Sequence, residues 1–148
     1  MNAVTINVQM DINKIIKEKV EKISKKLFFE VVKTTYSYIT VDALSAGGDF
    51  GSPVWTGRYH ASHTISINNI DKSTKGEGIY SSQLPISNAA SLESRFNIGD
   101  TVYIANSLDY ADDIENKGAS PFKTPDGVYR VSAEAVKARF ANGITVGI

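Results

Sequence analysis

Two hydrophobic periods follow one another in the first third of the chain. Apolar and polar residues alternate from Val4 to Met10, and this period of two predicts a short strand with one buried face. From Asp11, a residue suited to a helix N-cap, apolar positions recur at helical spacing instead. They are Ile12, Ile15, Ile16, Val20, Ile23, Leu27, Phe28, Val31 and Val32. The pattern predicts a long helix over about 11–44, with these residues on one face.

A helix of that length is unusual for a chain of this size. At 1.5 Å per residue it would span roughly 50 Å. Its second half, from Thr34 to Val41, is rich in β-branched and aromatic residues, which favours a bend or an early end. We expect one end of the helix to pack on a neighbouring subunit.

The remainder of the chain shows shorter patterns. Alternation from Ala61 to Asn68 and from Thr101 to Asn106 predicts two strands, and 144–148 a last short one. Residues 69–87 have no period, which predicts a long mobile loop. A short helix is predicted around 88–95 and a brief one around Tyr110 that Gly118 closes. Thr124 and Pro125 predict the start of a helix that runs to Phe140.

This order of elements predicts one α+β domain over residues 1–148. Its long N-terminal helix and short C-terminal helices would pack on a small, mostly antiparallel sheet. Composition agrees with a folded chain, since 42% of the 148 residues are hydrophobic and 22% are charged. The N-terminal residues lack a basic stretch followed by an apolar run, so no signal peptide is expected. No apolar run has the length of a transmembrane helix.

The charge balance and the cysteine content argue against several classes of function. Lys plus Arg and Asp plus Glu number 16 each, so the basic excess of a dedicated nucleic-acid binder is missing. The chain has no cysteine, which excludes disulfides, thiolate zinc sites and cysteine nucleophiles. The P-loop spacing and the common hydrolase and metalloprotease motifs are also absent from the sequence.

Three groups of residues remain as candidates for chemistry. His60 and His63 have a spacing that suits a metal site, but burial of His63 on a strand with His60 exposed is favoured. The acids Asp109, Asp112, Asp113 and Glu115 would suit a hydrolase or a cation site, but the solvated side of a short helix is favoured. The lysines of the first helix would suit DNA, but they alternate with glutamates. We therefore expect no catalytic, cofactor or metal residue.

Two segments and a third that follows them resemble, in this order, the phage tail-completion (head–tail joining, or neck) family. Residues 53–62, PVWTGRYHAS, resemble the family's P-V-x-T-G-x-[LFY]-x-x-S stretch, which opens its sheet. Residues 102–118, in which Tyr110 to Gly118 read Y-A-x-x-I-E-x-x-G, resemble its strand followed by Asn and by Y-A-x-x-[IV]-E-x-G. Residues 125–130, PDGVYR, are similar to its P-x-G-[MV]-[VY]-R lead into a last helix. The matching positions are Thr56, Gly57, Arg58, Asn106, Tyr110, Ala111, Ile114, Glu115, Gly118, Pro125 and Gly127.

The resemblance implies a structural virion protein of a tailed bacteriophage. It implies a homo-oligomeric ring at the neck or connector that completes the tail and joins it to the head. The implied partners are other neck, connector and tail proteins, with DNA passing through without specific binding and no membrane. The implied location is the virion, after assembly in the host cytoplasm. Another minor tail component such as a tail terminator, a small metal-dependent hydrolase and a DNA-binding module remain alternatives.

The same residues have fold-making interpretations. Gly57 would allow a tight turn with positive φ after Thr56. Tyr110 and Ile114 would anchor the short helix to the sheet. Glu115 would hold either Arg58 or a nearby backbone amide.

Overall fold

The computed structural model describes residues 11–41, 51–52, 56–80, 91–116 and 126–143. Its elements are α1 (Ile12–Thr40), α2 (Arg58–Ala61), β1 (His63–Ile67), β2 (Val102–Asn106), α3 (Ala111–Asn116) and α4 (Tyr129–Phe140). Residues 91–93 form a further helical turn within the predicted 88–95 helix. The α+β class is confirmed. The predicted strands at 4–10 and 144–148 lie outside the described residues, as do Gly118 and Pro125.

Helix α1 begins as the sequence predicts and ends before residue 44. The Asp11 carboxylate accepts a hydrogen bond from the Lys14 amide at 3.0 Å, which satisfies one of the free amides of the first turn. Val41 is extended, with φ −68° and ψ 148°, and its carbonyl accepts a bond from the Ser52 amide at 2.8 Å. The early end that the β-branched residues favoured is therefore confirmed, since the backbone leaves the helical conformation at Val41.

The two halves of α1 differ in burial. Phe29, Val32, Tyr36 and Ile39 are buried, whereas Ile12, Ile16 and Val20 are 60%, 55% and 56% exposed. At 3.6 residues per turn, the mean directions of the early apolar residues and of the buried ones differ by roughly 150°. The apolar residues predicted to lie on one face of α1 therefore include both exposed and buried ones. Within the described residues, no helix is both long enough and apolar enough to cross a membrane.

The described sheet is an antiparallel pair in which His63 lies opposite Asn106 and Ile67 opposite Val102. On its apolar face, Ile65, Ile67 and Val102 pack against a cluster of Phe29, Val32 and Leu92. Strand β1 is shorter than predicted because residues 58–61 form α2. The second face of β1 contacts the residues that follow the strand. The Thr64 hydroxyl donates a hydrogen bond to the Asp71 carbonyl at 2.7 Å. Residues 68–80 contain neither helix nor strand.

Helix α4 closes the second core cluster. Ile39, Tyr59, Leu108, Ile114 and Val128 form this cluster, so that it joins α1, α2, α3 and the start of α4. The predicted helix start at Thr124 and Pro125 was wrong, because α4 begins at Tyr129. No side chain of its own N-cap residue, Val128, caps it. The amides of its first turn therefore require another acceptor.

Candidate functional site

The missing cap of α4 comes from Glu115 on α3. Its Oε2 accepts hydrogen bonds from the amides of Val128 and Tyr129 at 2.7 and 2.9 Å, and its Oε1 from the amide of Arg130 at 3.1 Å. A carboxylate at this position satisfies free amides and also opposes the positive end of the helix dipole. Glu115 thus holds backbone amides, one of the two predicted roles. It joins α3 to α4.

Gly127 makes this approach possible. Its φ is +81°, a conformation that other residues rarely adopt. A β-carbon there would lie 2.6 Å from the Glu115 carbonyl oxygen and 2.8 Å from its carboxylate. A side chain at position 127 would therefore displace the carboxylate that caps α4.

A second glycine junction lies at Thr56, Gly57 and Arg58. Gly57 has φ +79°, and a β-carbon on it would collide with the Tyr80 carbonyl oxygen. The Tyr80 amide donates to the Thr56 carbonyl at 2.7 Å. These contacts bring the end of the irregular segment, residues 68–80, back to the start of α2. The predicted turn with positive φ at Gly57 is confirmed.

The Arg58 side chain also binds this irregular segment, through Lys75 and Glu77. Its Nε donates to the Lys75 carbonyl at 2.9 Å, and its Nη1 lies 2.5 Å from Glu77 Oε1. The guanidinium also lies over the Tyr110 ring, with Cζ 5.9 Å from the ring centroid. Arg58 is thus held by Glu77 and Tyr110.

Asn106 connects the end of β2 with α2. Its Nδ2 donates to the Tyr59 carbonyl at 2.8 Å, and its Oδ1 accepts from the Leu108 amide at 3.2 Å. Tyr110 and Ala111 pack at the edge of the cluster formed by Ile39, Tyr59, Leu108, Ile114 and Val128. Every described position of the resemblance therefore lies in one connected region.

The sequence did not reveal a buried hydrogen-bonded chain through His63. His63 Nδ1 lies 2.8 Å from the Tyr129 hydroxyl, and its Nε2 lies 2.6 Å from Ser52 Oγ. Ser52 Oγ donates to the Ile39 carbonyl at 2.5 Å, so it must accept from His63. Tyr129 then donates to Nδ1, and His63 is a neutral ring with its proton on Nε2. This hydrogen-bonded chain connects α4, β1, residue 52 and α1.

Burial determines the protonation states of the buried histidine and tyrosine side chains in this region. Desolvation, and secondarily the charge of His60, lowers the pKa of His63 from 6.5 to about 3. Burial also raises the pKa values of Tyr129 and Tyr59 far above their usual range. The expectation that His63 lies inward is confirmed. The expectation that His60 is exposed was wrong, because α2 turns Tyr59, His60 and Ala61 into the core.

The Ser52–His63 pair has the spacing of a nucleophile and its base, but it lacks access. Ser52 is fully buried, and its proton is committed to the Ile39 carbonyl. The acids that would accompany the histidines do not join them: among the described residues, no group of three His, Cys, Asp or Glu side chains is placed to hold a metal. Asp112 instead accepts a hydrogen bond from Asn116 on its own helix at 2.6 Å, and it is exposed.

Ser52 is the residue of this region that pattern analysis missed. It belongs to no periodic run in the sequence, and its importance follows from its contact with His63, 11 positions away. Tyr59 and Tyr129 lie at positions of the family's motifs, but their contacts with Asn106 and His63 were not predicted.

The chain was compared with protein-family models, curated proteins and solved structures, and it matches none of them. The geometry itself defines an α+β protein in which the polar groups described above connect elements of the fold.

Proposed function

We propose that this protein is a non-enzymatic structural subunit of a bacteriophage virion. It forms a homo-oligomeric ring at the neck, completes the tail and joins it to the head around the DNA channel. The observation that carries the proposal is the convergence of the motif positions. Nine positions between Thr56 and Gly127 that resemble the tail-completion family form one network of caps, turns and core contacts. They are Thr56, Gly57, Arg58, Asn106, Tyr110, Ala111, Ile114, Glu115 and Gly127.

The chemistry of this network supports a scaffold role. The Glu115 carboxylate is occupied by three amides, the His63 ring by two hydroxyls and Arg58 by Glu77. Polar groups that already have partners within the protein help to fix its geometry. An assembly protein requires such fixed geometry.

The distribution of apolar and charged residues also supports assembly. The zero net charge suits a conduit that must let DNA pass without retaining it. Ile12, Ile16 and Val20 on α1 are more than half exposed, which is typical of surfaces that bind other proteins. Closed rings use two different surfaces of each subunit, so a subunit must expose complementary patches.

The test is the mass of the purified protein in solution, followed by electron microscopy of the protein mixed with isolated tails or connectors. We expect a defined multimer and particles that carry an added ring. A monomer that attaches to neither structure contradicts the proposal. Salt-dependent retention on DNA would instead favour a DNA-binding module, and metal-dependent turnover would favour a hydrolase.

A further inference from the structure

A polar cavity of about 360 Å³ lies beside the start of β1. Its walls come from residues 61–65, from residues 71–75 of the irregular segment and from the turn at residues 91–95. The Ser62 hydroxyl accepts a hydrogen bond from the Lys75 amide at 3.1 Å, and the Thr64 hydroxyl donates to the Asp71 carbonyl at 2.7 Å. Residues 71–75 therefore run antiparallel to residues 62–64, with Lys75 beside Ser62 and Asp71 beside Thr64.

The size and the lining of this cavity suit a small polar ligand. Cavities that bind small molecules usually measure about 300–1,000 Å³. Ala61, Ile65 and Leu92 are the apolar residues of the lining, and the other nine lining residues are polar or charged. An apolar occupant would leave the polar groups without partners, which is unfavourable. The occupant that fits is therefore polar.

Three charged residues line the cavity, namely Lys75, Arg95 and Asp71. Among the described residues, neither Lys75 nor Arg95 forms an ion pair. The Asp71 carboxylate already accepts the Ser73 amide at 2.9 Å, and hydrogen bonds from the amide and the side chain of Ser73 lower its pKa. The lining thus carries one positive charge in excess, from two cations on two different walls.

A buried hydroxyl lies beside Lys75. Ser62 is 2% exposed, and its oxygen accepts the Lys75 amide. Within the described residues, the proton of this hydroxyl has no acceptor. Thr74 adds a second hydroxyl to the same wall. Of the other charged residues in these segments, exposed Lys72 and Glu93 lie outside the lining and have opposite signs. The cavity therefore offers more donors than acceptors.

We propose that this cavity binds a small hydroxyl-bearing phosphomonoester. Lys75, Arg95, Ser62 and Thr74 supply donors from different walls, which suits the several oxygens of a tetrahedral phosphate better than the two coplanar oxygens of a carboxylate. The rest of the volume takes the body of the ligand, and the Asp71 carboxylate accepts one of its hydroxyl groups. The excess of one charge and the zero net charge of the chain do not suit the backbone of a nucleic acid.

The first part of the test compares ligands by isothermal titration calorimetry at constant ionic strength. The probes are glycerol 3-phosphate, glucose 6-phosphate, adenosine 5′-monophosphate, inorganic phosphate and glucose. We expect saturable binding of at least one phosphomonoester, binding of inorganic phosphate at least about three-fold weaker, and no binding of glucose. If none of the three phosphomonoesters saturates the protein up to about 10 mM, the proposal is wrong.

The second part changes the donors one at a time. Lys75→Gln and Arg95→Gln should each weaken binding of the phosphomonoester by about ten-fold, and Ser62→Ala by about three-fold. The matched control is Lys72→Gln, an exposed lysine of the same segment outside the lining, which should bind within about two-fold of the wild type. Thermal denaturation checks that each variant is folded. If Ser62→Ala is not folded, the two exposed cations decide the result.

Two further outcomes would overturn the proposal. Equal affinity in the wild type, Lys75→Gln and Arg95→Gln would place the ligand elsewhere on the protein. Equal weakening by Lys72→Gln and Lys75→Gln, together with retention of a short DNA duplex, would show a general attraction of anions. Neither outcome affects the proposed ring, because its assembly does not depend on this cavity.

Discussion

Glu115 and Gly127 fit together so closely that neither position tolerates a change without affecting the other. The Glu115 carboxylate accepts three consecutive amides at the start of α4, and a β-carbon on Gly127 would lie 2.8 Å from that carboxylate. The left-handed φ of +81° at Gly127 turns the chain so that these amides face α3. The pair thus determines how the last described helix joins the fold.

Gly127→Ala should destabilise the protein through two separate effects. The left-handed backbone costs about 1–2 kcal/mol for a residue with a β-carbon. Displacement of the Glu115 cap adds about 1 kcal/mol or more. We expect a total loss of about 2–4 kcal/mol in the free energy of unfolding, measured by urea denaturation.

Gly99→Ala is the matched control for that change. Gly99 has φ +100°, but nothing lies within 4 Å of a β-carbon there. This variant should show the backbone cost alone, about 1–2 kcal/mol. Equal losses for the two variants would contradict the proposed clash with Glu115.

The buried His63 should make the protein sensitive to mild acid. The unfolded chain binds a proton near pH 6.5, whereas folded His63 binds one only near pH 3. The stabilising contribution is therefore complete above pH 6.5 and is lost as pH falls from 6.5 toward 3. Between pH 7.5 and pH 5 the free energy of unfolding should decrease by about 2 kcal/mol, as measured by urea denaturation at each pH.

His63→Gln provides the control for this pH dependence. It should lower stability at every pH, because it disturbs the bonds to Ser52 and Tyr129. Its stability should nevertheless change less than that of the wild type between pH 7.5 and pH 5. The carboxyls of Asp71 and Asp100 have lowered pKa values owing to hydrogen bonds, mainly from Ser73 and Asn68, so their effect falls below this window. An unchanged slope in His63→Gln would assign the acid sensitivity to other groups.

Tyr110→Ala should damage the fold and, through it, assembly. Tyr110 packs at the edge of the cluster containing Tyr59 and Ile114, and the Arg58 guanidinium lies over its ring. Truncation of a half-buried aromatic residue should cost about 2–3 kcal/mol, less than at a fully buried site. Glu21→Ala on the exposed part of α1 should change stability by about 0.5 kcal/mol or less.

Under the proposed function, phage that carry Tyr110→Ala should accumulate filled heads and separate tails in electron micrographs. Phage that carry Glu21→Ala should contain joined particles in normal number. A stable Tyr110→Ala protein that still joins heads to tails would show that this contact is not needed for either property.

The segment within residues 69–87 should be cleaved readily in the free subunit and protected after assembly. Lys72 and Lys75 are exposed in the described part of the segment, so trypsin has two sites there. Limited proteolysis of the free protein and of virions, followed by mass analysis of the fragments, measures the difference. Lys72→Gln combined with Lys75→Gln should slow the cleavage of the free subunit. Equal cleavage rates in subunit and virion would exclude a segment protected by a partner.

Local sequence signals were sufficient for most elements of the fold. The period from residue 12 onward located α1, Asp11 marked its start, and alternation located β1 and β2. These signals are reliable because a helix cap or an alternating strand depends on neighbours within a few residues. The sequence misplaced the start of α4, because the acceptor for its first amides lies 13 to 15 residues upstream on another helix.

The sequence by itself determined the α+β class, the start of α1 and the need for glycine at position 57. Only the tertiary structure decided which face of α1 is buried, that His60 is inside, and that Ser52, His63 and Tyr129 form one hydrogen-bonded chain. The physical reason is the distance along the chain between the partners. Period and propensity describe each segment alone, whereas burial and hydrogen-bond partners depend on which distant segments meet.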